Sequence, residues 1–175
     1  MIPARAFLFT SLLVLPACSP YPEPFHPPVQ RQPLDTGAPD TLKHYFAMSE
    51  PTATRQIVSG VLPELHDGAW RWTLQRPVFR FSVPTTQGLS LQADITVPDV
   101  AFKQTGPVDI TVWVESNKLD VIHFDKDAHL IWRKSVPAEW LSAQRPVQVT
   151  LEIDKMMRSG GQSWGFIVTS IGFTQ

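Results

Sequence analysis

Gly161-Gln162-Ser163-Trp164-Gly165 fits the G-x-S-x-G pattern of a serine nucleophile held on a sharp turn. That geometry needs a strand before the serine, a helix after it, and an acid and a histidine further along. The residues after Gly165 read as a strand and include no Asp, Glu or His, so Ser163 is assigned no catalytic role. The histidines, at 26, 44, 66, 123 and 129, are dispersed, and no pair has ligand spacing with a third ligand nearby. Asp125 and Asp127 could supply two of the roughly six to eight oxygens that calcium takes. Hairpin ends also collect such residues for turn and solubility reasons, and no metal or other cofactor is assigned. Carboxylate pairs for glycoside hydrolysis are set in space rather than in sequence, and no acid here has a recognisable context. The expected catalytic set is empty.

Tryptophan is more informative, with six in the chain. In residues 108–115, Val108, Ile110, Val112 and Val114 fall on one face of a two-residue period. Asp109, Thr111, Trp113 and Glu115 fall on the other. An indole beside carboxylates and a hydroxyl has the makeup of a sugar-stacking platform, where C–H groups cover the ring and polar groups take hydroxyls. Trp113, Asp109, Thr111 and Glu115 are therefore the candidate glycan-binding residues. The alternative is that Trp113 fills a contact with a loop or with residues 41–60. Trp70 and Trp72 share a strand face with Leu74, so core packing is expected for both. Trp132, Trp140 and Trp164 lie near loops and fit either kind of cluster.

The elements that must carry these side chains are strands. Residues 89–97 and 147–153 alternate as strictly as 108–115, which is the pattern of half-buried antiparallel strands. Further strands are expected at 69–74, 78–83, 119–124, 130–135 and 164–174. Turns at 116–117 and 125–128 predict two hairpins. Single helical turns are expected at 137–141 and within 41–48. Pro77, Pro84, Pro98, Pro107 and Pro146 are assigned to strand ends, where a missing N–H does little harm. Proline, at 17 of 175 residues, is roughly twice its usual share and argues against a mostly helical chain. Eight or nine short strands in residues 41–175 predict an all-β domain, an antiparallel β-sandwich or jelly roll. A single Cys excludes an internal disulfide and a cysteine-based zinc cluster. Fifteen basic against sixteen acidic residues give a net charge of −1, without the basic excess of a nucleic-acid partner.

Arg5 is the only charge before Glu23 and precedes the nine-residue apolar run Phe7-Leu8-Phe9-Thr10-Ser11-Leu12-Leu13-Val14-Leu15. Such a run suits a signal-peptide core and is short of the ~20 residues of a membrane span. It ends in Leu15-Pro16-Ala17-Cys18, and here the chain resembles a bacterial lipoprotein. The resemblance implies a signal peptide over residues 1–17, cleavage before Cys18, and lipid on both its sulfur and its new N-terminus. Ser19, where retained lipoproteins carry Asp, implies the outer membrane. Residues 18–40 hold Pro20, Pro22, Pro24, Pro27, Pro28, Pro33 and Pro39, a polyproline-like tether reaching roughly 70 Å.

The domain beyond it resembles the jelly-roll accessory domains found beside bacterial glycosyltransferases and in cell-surface carbohydrate proteins. The likeness rests on Trp70-Arg71-Trp72-Thr73, residues 89–97 and 108–114, and Gly165-Phe166-Ile167-Val168 with Ile171. Together these readings describe a membrane-anchored envelope lipoprotein carrying a non-catalytic binding module. Its expected partners are the membrane, through Cys18, and a glycan or an envelope protein. A structural or assembly lipoprotein using a sheet edge or aromatic patch is the second reading. A hydrolase is the third.

Overall fold

The alternating runs become strands whose apolar face is sealed. The computed structural model describes residues 41–175; the Cys18 lipidation and the tether lie outside these residues. Strand makes up 54% and helix 10% of the described residues, and the all-β expectation holds. In chain order the elements are β1 (Tyr45–Ala47), β2 (Ile57–Val61), β3 (Arg71–Phe81), β4 (Ser90–Val97), α1 (Asp99–Thr105), β5 (Val108–Val114) and β6 (Asn117–Phe124). They continue with β7 (Ala128–Ser135), β8 (Val147–Ile153), β9 (Met157–Ser159), β10 (Gln162–Trp164) and β11 (Ile167–Thr174). Among the described residues no helix is long and apolar enough to cross a membrane.

The main sheet runs β6-β5-β8-β3-β11-β4-β7, with β2 added to β3 and β1 to β11. Strand β3 joins its two halves: residues 78–81 pair with β8, while Arg71 and Trp72 pair with β11. The halves enclose one core in a nearly closed sandwich. Phe81 sits in that core, with its ring centroid 5.8 Å from Phe46 and 5.5 Å from Phe173. Leu91, Ile95, Ile110, Leu151 and Ile171 fill in from both halves, all fully buried.

The outermost strands β6 and β7 are the edges of this path. Register places Asp120 of β6 opposite Val112 and Lys134 of β7 opposite Leu91, so both charges point inward. They form an ion pair at 3.3 Å across the seam, and inward charges on edge strands discourage further strand pairing. Burial pushes the Asp120 carboxyl up, but the Val121 N–H, the Lys134 ammonium and the Trp132 indole outweigh it and hold it below its ordinary value. A carboxyl depressed in the folded state stabilises above its unfolded pKa, and the contribution is lost as pH falls through the folded value. Both partners are partly exposed, so at neutral pH Asp120→Asn is expected to cost about 1 kcal/mol or less. In denaturant titrations that gap should close as pH drops below about 4. A gap that persists or widens in acid would contradict this ion pair.

Four local expectations change. Residues 69–74 and 78–83 are not separate strands: β3 is continuous and Pro77 lies inside it. The pairing of β3 skips from Thr73 to Val78, so the missing proline N–H falls where the ladder is already broken. Gly60, at φ 75°, passes there so closely that a Cβ would lie 2.5 Å from the Arg76 carbonyl. Strands β6 and β7 do not form a hairpin; β6 pairs with β5 and β7 with β4, so the chain crosses between the halves at 125–127. The segment 41–48 forms β1 rather than a helical turn. Helix α1 was not expected. It follows Pro98, carries an Asp99–Lys103 ion pair of 2.7 Å one turn apart, and ends at Gly106 with φ 66°.

Candidate functional site

The aromatic side chains that meet at the surface lie around the start of β3. Asp67 and Gly68, both left-handed at φ 50° and 65°, turn the chain back so that His66 and Trp70 bridge each other. The His66 ring lies flat on Trp70, 14° from parallel and 4.5 Å between centroids. The Trp70 indole N–H donates to Asp67 Oδ2 at 3.3 Å. Trp70 then meets Trp72 edge-on at 6.1 Å, and Trp72 meets Trp164 edge-on at 5.5 Å. All four residues are half-buried. They form one continuous row.

Trp70 and Trp72 are therefore not core residues, contrary to expectation. On β3 the inward positions are Arg71 and Thr73. Thr73 Oγ1 donates to the Phe166 carbonyl at 2.9 Å, and the Arg71 guanidinium donates to the carbonyls of Pro63 and Met48. Backbone acceptors at the end of the sandwich make two polar residues acceptable inside, which turns both tryptophans outward.

Trp164 reaches the row from the far end of the chain. Gly160 and Gly161, at φ 59° and 79°, make the tight turn between β9 and β10, a conformation glycine adopts without strain. The Gln104 amide of α1 braces this hairpin, accepting from Arg158 N–H at 2.9 Å and donating to its carbonyl at 3.2 Å. Gly165 then crosses β3 so closely that a Cβ would meet the Leu74 carbonyl at 2.6 Å. That approach lays Trp164 against Trp72. Ser163 stands on β10 and leads into β11, so the strand-turn-helix setting of a nucleophilic serine is absent there.

The four residues singled out from the sequence lie along one strand but do not converge. Trp113 sits opposite Thr150 of β8 and makes no ring contact among the described residues. Its indole N–H is sealed from solvent without an acceptor, so it has no donor to offer a surface ligand. Asp109 is held at 2.6 Å by His123 Nδ1. Glu115 leaves the strand at φ 54° and accepts from Arg145 at 3.0 Å and from the Gln148 N–H at 3.2 Å. Thr111 lies between them, opposite Glu152. Asp109 and Glu115 are six residue steps apart along the chain, about 20 Å for extended strand.

No protein-family profile matches the chain, and no curated protein matches it in sequence. Among solved structures it is similar to a family GH115 4-O-methyl-alpha-glucuronidase with specificity for decorated arabinogalactans. That alignment covers 77% of this chain and 18% of the other, at 10% identity and a TM-score of 0.45. The chain thus spans less than a fifth of that protein's length.

A recess of about 500 Å³ opens elsewhere, between His44, Tyr45, Pro84, Leu89, Phe173 and Thr174. The Tyr45 hydroxyl is engaged with Ser170 Oγ at 2.6 Å, and the Thr174 hydroxyl is sealed without a partner. Neither is a free group for recognition. The aromatic row is the better candidate: it offers adjoining π-surface, rigidly supported and partly open to solvent.

Proposed function

We propose that the chain is an envelope lipoprotein, anchored through Cys18, whose β domain is a non-catalytic module holding carbohydrate on the His66–Trp70–Trp72–Trp164 row. The single observation that carries this reading is the row itself. Aromatic rings packed edge to face are fixed in place before a ligand arrives, so little ordering cost opposes binding. Their apolar surface matches the C–H faces of sugar rings, and Asp67 beside Trp70 can accept from a hydroxyl. A second reading, an assembly lipoprotein that binds a protein partner, is favoured by Leu65 and Leu74, which flank the row and are 39% and 41% exposed.

Calorimetric titration with neutral oligosaccharides separates these readings. Trp72→Ala is expected to weaken sugar binding by about two- to twelvefold, from loss of a contact of about 0.5–1.5 kcal/mol. Trp72→Phe, which keeps a ring, should recover part of it. Equal affinity in all three proteins would remove the row from the binding site.

A further inference from the structure

We infer that the outer face of β11, β4 and β7 is the polar floor of this same site, that Asp94 is its specificity-determining residue, and that the ligand is an uncharged glycan chain. This rests on the carbohydrate reading above and adds where the chain lies and what it is. Register carries the argument. Trp72 pairs with Ile167, Ile167 with Thr96, and Thr96 with His129, so these four side chains share one face across four neighbouring strands. Ser170, Asp94 and Ile131 form the next line of the same face. The opposite face of β4 carries Leu91, Ala93, Ile95 and Val97, all core residues, so Thr96 and Asp94 point outward.

Three interstrand steps of about 4.8 Å separate Trp72 from His129, roughly 14 Å in all. That is a track for several sugar rings rather than a pocket for one. Along it the chemistry changes in order. The tryptophans offer ring surface, Thr96 offers a hydroxyl, and Asp94 offers a carboxylate with acceptor capacity to spare. His129 Nε2 donates to Asp94 Oδ1 at 2.6 Å and so fixes the carboxylate while leaving its second oxygen available. Ile131, 59% exposed beside Asp94, supplies an apolar contact at the β7 side. Asp67 beside Trp70 and Asp94 on β4 would repel an acidic sugar, and no lysine or arginine lies on the line from Trp72 to His129. Arg133, one line beyond Ile131 on the same face of β7, is turned to the Gln175 carbonyl at 2.6 Å.

The test uses the full chain carrying Cys18→Ser, titrated with cellotetraose, mannotetraose and xylotetraose and, separately, with tetragalacturonate. At least one neutral tetrasaccharide should bind more tightly than tetragalacturonate. Asp94→Asn should weaken that neutral ligand about tenfold, the loss of a hydrogen bond to a charged group. The same variant should improve tetragalacturonate binding, a gain that a merely structural residue would not give. His129→Gln should produce a smaller loss of the neutral ligand. If Trp72→Ala weakens binding while Asp94→Asn leaves it unchanged, the polar floor is wrong and the aromatic row stands. Preference for tetragalacturonate overturns the ligand class. Failure of all four sugars to bind overturns both.

Discussion

Ile110→Asp is expected to unfold the domain outright, and Val149→Asp to do the same. Ile110 lies between Ile122 and Ile153 in the ladder, and Val149 between Phe79 and Val114; both are fully buried. An Asp at either position would be a charge in an apolar core with no cation or donor to meet it. Such a group costs several kcal/mol even after it takes up a proton, against a total stability of about 5–15 kcal/mol for a domain. Far-UV circular dichroism should lose the β signal, whereas Ile110→Val, which removes one methyl group, should cost only about 1 kcal/mol. A cooperatively folded Ile110→Asp protein, melting near the parent temperature, would mean that the two halves of the sheet do not enclose this core.

Cys18→Ser is expected to move the exported protein from the membrane fraction to the soluble fraction and to abolish incorporation of labelled fatty acid. The size of the effect follows from the anchor. Each buried CH₂ contributes about 0.8 kcal/mol, and while one acyl chain holds weakly, two or more hold stably. Without the thiol no thioether forms, and nothing in residues 41–175 provides a spanning helix in its place. Labelled fatty acid persisting on the serine variant would contradict the lipoprotein reading.

The parts of the fold legible in the sequence are those in which one face of a strand is apolar and the other polar. Strands β4, β5 and β8 match the alternating runs almost residue for residue, because a two-residue period leaves no choice of which side is buried. At β3 the same logic misleads. Trp70, Trp72 and Leu74 form the apolar set, yet the polar set, Arg71 and Thr73, is inside because carbonyls from Met48, Pro63 and Phe166 happen to be there. Those acceptors come from remote parts of the chain, which periodicity does not see. For the same reason the aromatic row was not legible: Trp164 joins it only through the β9–β10 hairpin and the close crossing at Gly165. Helix α1 did leave a signal. Asp99 and Lys103 are spaced one turn apart between Pro98 and Gly106, a start and stop that a scan for strands passes over. The crossing from β6 to β7 is topology, and a short acidic turn serves a hairpin or a crossover equally well.

The central claim, that sugar is held on the row at the start of β3, can be tested on the indole N–H signals of the six tryptophans. Each gives one resolved peak in a ¹H–¹⁵N spectrum, and all six lie within the described residues. On titration with the neutral tetrasaccharides, the peaks of Trp70, Trp72 and Trp164 should shift together along one saturating curve. The peak of Trp113, whose indole N–H is shut off from solvent, should stay in place. Shifts confined to Trp113, or a spectrum unchanged at every sugar concentration, would contradict the account.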